Sequence, residues 1–213
     1  MSLVERLALL PDEIDRTSLE MVEENLIYPK DLSNHEKYIL FRIVRAEGDP
    51  VIADSVRFSQ NSVERGLDSL RSSKSVLTDV RMVQVGISKS HLSRSNIQTR
   101  CEIDTPEVSE RAKREGTTRS VAAIREMSGS IDVSIDAIGM SLTALFALLD
   151  LIDERKVNPA LIIGMPVGFV ACAESKDELE KRDLPYITIL GNRGGSSAAA
   201  ATVNGLLDLL QII

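Results

Sequence analysis

The chain has 213 residues, of which 43% are hydrophobic and 27% are charged, and its formal net charge is −7. This balance is ordinary for a globular protein, and the negative charge argues against a general nucleic-acid binder, which needs clustered positive charge. Aromatic residues make up only 3% and tryptophan is absent, so the usual base-stacking platforms are missing as well. We therefore expect small molecules or other subunits as partners, and a single domain over residues 1–213.

Two cysteines, Cys101 and Cys172, lie far apart and in no paired spacing. This usage predicts reduced thiols in the cytoplasm rather than a disulfide or a metal site. Because His35 and His91 are the two histidines of the sequence, a histidine-rich metal centre is excluded. The charged start of the chain predicts no export signal, and no apolar run approaches the roughly 20 residues that cross a bilayer.

The first predicted elements are an amphipathic helix and a buried strand. Residues 11–26 begin with proline and acids and carry a loose apolar stripe, which predicts an outer helix containing Ser18. The short apolar run Tyr38–Val44 is rich in β-branched and aromatic residues and predicts a strand buried on both faces. Arg42 and Arg45 then lie near its carboxyl end, where open α/β sheets bind ligands. A buried arginine needs an anion, which favours a functional role for Arg42 over a structural ion pair.

Strands and helices alternate along the rest of the chain. Apolar runs predict strands at Val76–Asp79, Ile97–Ile103, Val133–Ile138, Ala160–Ile163 and Tyr186–Ile189. Capping residues and amphipathic spacing predict helices that start at Ser59, Thr105, Thr117, Ser141 and Glu174, and a last helix after the final glycine cluster. The helix from Ser141 is apolar almost all round, which favours a position at a subunit interface.

This alternation predicts an α/β fold with a mostly parallel sheet and helices on both faces, in three layers. In such a sheet, the loops that follow the strands lie on one edge. The glycine-bearing loops concerned are Arg45–Asp49, Asp79–Gly86, Gly139–Thr143, Gly164–Gly168 and Gly191–Gly195. We expect them to build one cleft, broader than a mononucleotide needs.

The segment from Leu184 to Leu207 is the stretch around which the chain is organised. A β-branched run is followed by clustered glycines and then by an alanine-rich run, which predicts a strand, a turn and a helix. Backbone N–H groups of the first helical turn and the charge of Arg193 would hold a carboxylate or a phosphate there. The alternative is a tight turn whose alanines allow close packing. A nucleotide-binding module is disfavoured because the loop lacks Gly-Lys-Ser/Thr.

Blocks of sequence spread over nearly the whole chain also carry a family resemblance. They lie at Thr78–Lys89, Gly116–Arg119, Thr143–Phe146, Pro166–Lys176 and Pro185–Ser196. In this collinear order they resemble the precorrin-8X methylmutase family of cobalamin biosynthesis.

The resemblance implies an α/β homodimer that binds a tetrapyrrole and needs no added cofactor or metal. The implied reaction moves a methyl group between adjacent ring carbons, from the eleventh to the twelfth position. It converts precorrin-8X or cobalt-precorrin-8 into hydrogenobyrinate or cobyrinate. Acetate and propionate carboxylates fringe that ring, and basic and glycine-rich loops suit such groups.

The resemblance also places family positions on residues of this chain. Binding positions fall on Ser18 and Arg42, and the active-site histidine of the family falls on Arg45. Because a guanidinium group does not deprotonate in proteins, Arg45 would stabilise charge rather than exchange a proton. The predicted substrate-binding set is completed by Arg193, Gly194, Gly195 and Ser196.

Two further positions depart from the family pattern, since Arg81 and Met140 stand where asparagine-like residues are expected. Together with Arg45 they leave a second function open. In this alternative, the chain is a corrinoid-binding relative that carries or protects the product without catalysis.

Overall fold

The computed structural model describes residues 10–26, 28, 31–72 and 74–212, which form a six-stranded sheet with helices packed on it. The strands are β1 (Val56–Phe58), β2 (Val76–Thr78), β3 (Thr99–Arg100), β4 (Ile135–Ile138), β5 (Leu161–Gly164) and β6 (Tyr186–Ile189). The α-helices are α1 (Pro11–Asn25), α2 (Asn34–Glu47), α3 (Ser62–Arg71), α4 (Arg81–Gly86), α5 (Lys89–Arg94), α6 (Pro106–Glu115), α7 (Arg119–Glu126), α8 (Leu142–Asp153), α9 (Cys172–Glu180) and α10 (Ser196–Ile212).

The strands follow the spatial order β1-β6-β5-β4-β2-β3, and all neighbours are parallel except β1, which runs antiparallel to β6. The last residues of β4 and β5, Ile138 and Gly164, pair with each other, and the last residue of β2, Thr78, pairs one residue before the end of β4. The mostly parallel sheet predicted from the sequence is therefore confirmed. Its carboxyl ends form one edge, which carries the loops described below.

Each face of the sheet is covered by its own group of helices. Side chains such as Val76, Ile135 and Ile163 pack with those of α2, α3 and α10. On the opposite face, Leu77 and Ile162 pack with side chains of α7, α8 and α9. Alternate residues of the strands point to opposite faces and are buried on both, as expected of a parallel sheet between two helical layers. The predicted three-layer α/β arrangement is confirmed.

The apolar run Tyr38–Val44 is helical, so the strand predicted there is wrong. Helix α2 has clear end signals: the Ser33 side chain accepts a hydrogen bond from the Glu36 N–H at 3.2 Å, and Glu36 Oε2 accepts one from the Ser33 N–H at 2.8 Å. Gly48 ends the helix with φ 64°. The predicted loop Arg45–Asp49 therefore consists of the last residues of this helix and the turn after it, and it does not follow a strand; Arg42 projects from the same helix.

Several predicted boundaries also shift. Ser59 does not cap a helix, since α3 begins at Ser62 and the Ser59 Oγ instead accepts a hydrogen bond from the Tyr186 N–H at 2.7 Å. The strand predicted over Ile97–Ile103 is confined to β3. The strand predicted from Val133 begins two residues later, because Val133 has φ 58°, which is incompatible with an extended strand.

Most predicted helices are present, and two of them are more buried than expected. Helix α8 begins after Ser141 as predicted, and its apolar side chains are buried against the sheet of the same chain. Burial within the chain therefore accounts for the apolar composition of α8, which the sequence analysis had attributed to a subunit interface. Helix α9, predicted to start at Glu174 on the surface, begins at Cys172 and buries Lys176 completely. In the described part of the chain, no helix is both long and apolar enough to span a membrane.

One carboxyl group lies inside the sheet. Asp136 of β4 pairs with Leu77 and Ile162 on the neighbouring strands and is 1% exposed. Its Oδ2 accepts a hydrogen bond from the Ser134 hydroxyl at 2.8 Å, and Oδ1 has no partner among the described residues. Burial raises the pKa of Asp136 to about 7, with the Ser134 hydrogen bond opposing that shift.

This raised pKa predicts a pH-dependent stability. Between about pH 4 and pH 7 the folded chain holds a proton on Asp136 that the unfolded chain releases. The free energy of unfolding therefore falls by about 1.4 kcal/mol for each pH unit in this range. Asp136→Asn removes the titration. Urea unfolding at pH 5.0 and 7.5 should show the variant gaining stability relative to wild type by at least about 2 kcal/mol at the higher pH.

The matched control is Asp153→Asn, which removes a carboxyl whose pKa is lowered by Arg182 and which stays ionised throughout this range. Its stability difference from wild type should be the same at both pH values. If Asp136→Asn also kept a constant difference, the buried carboxyl would have an ordinary pKa.

Candidate active site

One buried carboxylate joins the loops that follow β2 and β4. Asp79 is 1% exposed, and its oxygens accept hydrogen bonds from the backbone N–H groups of Gly139, Met140 and Ser141 at 3.0, 2.9 and 2.8 Å. Burial raises the pKa of this carboxyl, and the three N–H donors oppose that shift. Asp79 therefore fixes the start of α8 against the end of β2.

A buried lysine joins the loops that follow β5 and β6. The Nζ of Lys176 donates hydrogen bonds to the carbonyl oxygens of Pro166 at 3.1 Å and Arg193 at 2.8 Å. Burial lowers the pKa of this amine. The Gly195 N–H also donates to the Met165 carbonyl oxygen at 2.9 Å. The four loops at the carboxyl edge of the sheet thus meet, as the sequence predicted for them.

The glycine turn between β6 and α10 has a backbone that requires glycine. Gly194 and Gly195 both have φ 136°, a region that side chains rarely adopt. A Cβ on Gly194 would lie 2.5 Å from the Met165 carbonyl oxygen, so a side chain would separate the two loops. The strand, turn and helix predicted from Leu184 to Leu207 are confirmed.

The alanines of α10 allow close packing. Ala198 and Ala199 are fully buried, and a Cβ on Gly86 would lie 2.8 Å from the Cβ of Ala200. Close packing, which the sequence analysis gave as the alternative to an anion site, is present on this helix. Ser196, the first residue of α10, is 9% exposed, and its Oγ has no hydrogen-bond partner among the described residues.

An open cleft of about 670 Å³ lies beside this turn. Helix α2 contributes Arg42 and Arg45, and α10 contributes Ser196, while two methionine side chains add apolar surface. No aspartate or glutamate of the described residues lines the cleft. Its lining residues are Arg42, Arg45, Ala46, Met82, Gly86, Met140, Ser196, Ser197, Ala200, Ala201 and Asn204.

The structure shows Arg42 in an ion pair as well as in the cleft. Its Nη2 lies 3.2 Å from Asp208 Oδ2, and the two side chains are 16% and 12% exposed. The sequence favoured a ligand-binding role for Arg42 over a structural ion pair. The ion pair with Asp208 is present, and Arg42 also lines the cleft. Arg45 lies one helical turn further along α2, on the same side.

Comparison with known proteins identifies the family. The sequence model described as precorrin-8X methylmutase matches residues 13–209. The chain belongs to the precorrin-8X methylmutase family. The family resemblance and the isomerase role in cobalamin biosynthesis that it implied are thereby confirmed.

Individual relatives agree with this assignment. The cobalt-precorrin-8 methylmutase of Priestia megaterium is 37% identical over 200 residues, covering 94% of this chain and 88% of the relative. The precorrin-8X methylmutase of Pseudomonas aeruginosa is 38% identical over 180 residues, covering 84% of each chain. The crystal structure of a precorrin-8X methyl mutase from Thermus thermophilus superposes with a TM-score of 0.85 at 32% identity, over 92% of this chain and 95% of that one.

Arg193 is held at the rim by an acid. Its guanidinium group contacts the Asp49 carboxylate, and the Ser197 hydroxyl donates to Glu47 Oε1 at 2.5 Å. The Val51 N–H and the Arg193 guanidinium hold the pKa of Asp49 below its usual range. These contacts tie the glycine turn to the end of α2. Arg193 itself is not among the residues that line the cleft.

The other predicted positions are divided between the cleft and its surroundings. Ser18 is half-buried in α1, which packs against α2, and it does not line the cleft. Met140, one of the two predicted departures from the family pattern, lines the cleft. Arg81, the other predicted departure, instead binds the Asp104 carboxylate through Nε and Nη2, at 3.0 and 2.6 Å.

Sequence reasoning missed the groups that hold the loops beside the cleft together. Asp79 ends a predicted strand and begins a predicted loop, and Lys176 ends a block of family resemblance, but neither position predicts a buried contact between loops. Asn204, which lines the cleft and donates to the Gly86 carbonyl oxygen at 2.9 Å, was not noticed. A polar side chain inside the apolar, alanine-rich α10 was the available signal, because such residues need a partner when they are buried.

The tie made by Lys176 can be tested by substitution. Lys176→Met leaves the Pro166 and Arg193 carbonyl oxygens without this donor, so we expect a loss of about 2 kcal/mol in unfolding free energy. Amide hydrogen exchange over 191–195 should become faster, since the turn loses its anchor.

The control is Lys181→Met, which removes an exposed ion pair with Glu178 at the end of the same helix. That change should cost under about 1 kcal/mol and leave exchange in the turn unaltered. Equal effects of the two substitutions on exchange would show that Lys176 does not anchor the turn.

Proposed function

We propose that the chain isomerises precorrin-8X or cobalt-precorrin-8 in the cleft between α2, α10 and the strand-end loops. A methyl group would move between the eleventh and twelfth ring carbons, giving hydrogenobyrinate or cobyrinate. The observation that carries the proposal is that Arg42 and Arg45 line one cleft together with the first residues of α10, in a methylmutase-family fold. No added cofactor is needed for this step.

The chemistry of the cleft suits such a ring. Carboxylates around its rim would bind the two guanidinium groups and the backbone N–H groups at the start of α10. The apolar faces of the ring would lie against Met82, Met140 and Ala200, which present thioether and methyl surface. The cleft is open to solvent on one side, so a large ligand can enter without unfolding of the loops.

Arg45 is proposed as the catalytic residue. The family resemblance places the active-site histidine of the family on this residue, and Arg45 lines the cleft. A guanidinium group donates hydrogen bonds and keeps its charge, so Arg45 would stabilise negative charge that develops on the ring as the methyl group migrates. This role replaces the acid–base role that a histidine would have at the same place.

The predicted binding residues have different parts in this proposal. Arg42, Ser196 and the Gly194–Gly195 backbone would contact the substrate from the cleft wall and the turn. Arg193 would contact a carboxylate at the rim by exchanging its Asp49 partner for the ligand. Ser18 would reach the substrate only from α1, outside the cleft lining.

Three further features belong to the same proposal. Residues 1–213 would act as a single domain, in keeping with a family match that spans 13–209. A homodimer would cover the loop after β5, where Phe169 and Val170 are 90% and 80% exposed. The free, buried thiols Cys101 and Cys172 fit a reducing, cytoplasmic location.

Substitution of Arg45 tests its electrostatic role. Conversion of precorrin-8X is followed by the change in its absorption spectrum. Arg45→Ala should lower kcat about 100-fold, because the stabilising charge is gone. Arg45→His should work only below about pH 6.5, where imidazole carries a positive charge, and lose activity as pH rises. Arg71→Ala, which removes an exposed arginine paired with Asp68, is the control and should match wild type.

Two outcomes would overturn this role. Higher activity of Arg45→His than of wild type at pH 7.5 would show that the site needs proton transfer. A wild-type protein that binds hydrogenobyrinate but converts no precorrin-8X would favour the alternative of a non-catalytic corrinoid carrier.

A further inference from the structure

Asp208 lies at the centre of a polar cluster behind the cleft. Its Oδ2 accepts a hydrogen bond from the Tyr38 hydroxyl at 3.1 Å and lies 3.2 Å from Arg42 Nη2. Its Oδ1 lies 2.8 Å from His91 Nδ1. The Asp208 side chain is 12% exposed, so these contacts form in a largely desolvated place, where they are stronger than on an open surface. A hydroxyl and a guanidinium group from α2 thus meet on one carboxylate of α10, and the His91 ring lies beside it without a hydrogen bond from Nδ1.

The aliphatic part of the Arg42 side chain is fixed as well as its guanidinium group. A Cβ on Gly205 would lie 3.4 Å from Arg42 Cγ and 2.7 Å from Ile39 Cδ1, so the absence of a side chain at Gly205 lets α2 approach α10 closely. The aliphatic part of Arg42 therefore packs on the α10 backbone. Asp208, one turn after Asn204, then holds the guanidinium group beside the cleft wall.

From this geometry we infer that Asp208 is a positioning residue for Arg42, which it orients to bind a carboxylate of the tetrapyrrole substrate. The inference rests on the proposed function. A guanidinium group has five N–H donors in a planar fork, so an anchor on one of them fixes the plane in which the group meets a ligand carboxylate. Anchoring removes rotamer freedom before the ligand arrives, and the entropy lost on binding is then smaller.

A double-mutant cycle tests whether Asp208 acts through Arg42. The dissociation constant of hydrogenobyrinate is measured by absorption titration for Asp208→Asn, Arg42→Ala and the double variant. We expect increases of about tenfold and about 30-fold for the single changes, since charge-assisted hydrogen bonds are of this strength. The double variant should match Arg42→Ala within about twofold, because Asp208 has nothing left to position.

Steady-state kinetics separate positioning from general structural support. With precorrin-8X, Asp208→Asn should raise KM about tenfold and leave kcat within about twofold of wild type, and Asp208→Glu should restore part of the loss. Asp153→Asn, which removes a carboxylate from a surface ion pair at the end of α8, should leave both constants unchanged. If Asp208→Asn fails to fold, Tyr38→Phe replaces it and should raise the dissociation constant about threefold through the weakened anchor.

The outcomes distinguish this inference from the proposed function. Additive effects in the cycle, or a fall in kcat at constant KM, would overturn the positioning role while the binding function stands. A wild-type protein that binds no hydrogenobyrinate would overturn the proposed function and the inference together.

Discussion

The shared direction of four neighbouring strands is the constraint on which the site depends. Because β2, β4, β5 and β6 run parallel and in register, their following loops all arrive at one edge of the sheet. Parallel strands alone bring loops near one another without fixing them. Asp79 and Lys176 hold these loops in place, each through hydrogen bonds to backbone groups of a neighbouring loop. Burying a carboxyl and an amine is costly, and these backbone partners offset the cost. The glycine turn and the start of α10 are therefore held in place before any ligand binds.

The same edge would reconcile an acidic chain with the proposed site for an acidic ring. The net charge is −7, yet the described residues lining the cleft include two arginines and no acid. Two arginines of the proposed site are each paired with an acid that does not line the cleft: Asp208 contacts Arg42, and Asp49 contacts Arg193. Such pairing lowers the mutual repulsion of clustered guanidinium groups and keeps long side chains ordered. In the proposed function, a ligand carboxylate would meet guanidinium groups whose orientation these acids already restrict.

The sequence predicted the parts of this structure that local patterns determine. The buried strands β2, β4, β5 and β6, the capped starts of α6 and α8 and the turn before α10 each have a signal within a few residues. The apolar run Tyr38–Val44 was misread because a short apolar segment has no periodicity that separates a strand from a buried helix. The deciding signals lay at its ends, in the capping pair Ser33 and Glu36 and in Gly48. The contacts of Asp79, Lys176 and Asp208 join residues more than 15 positions apart or depend on helix packing, so no local pattern contains them.

The most direct test of this account is a crystal structure of the protein with hydrogenobyrinate bound. The account predicts that the ring lies against Met140 and Ala200, with carboxylates bound by Arg42, by Arg45 and by the N–H groups of the first turn of α10. Asp79 and Lys176 should keep their backbone partners in the complex. A ring bound elsewhere, for example in the charged cleft that Arg111, Asp150 and Lys156 line on another part of the surface, would contradict it. A ring in the predicted cleft whose carboxylates avoid both arginines would contradict it equally.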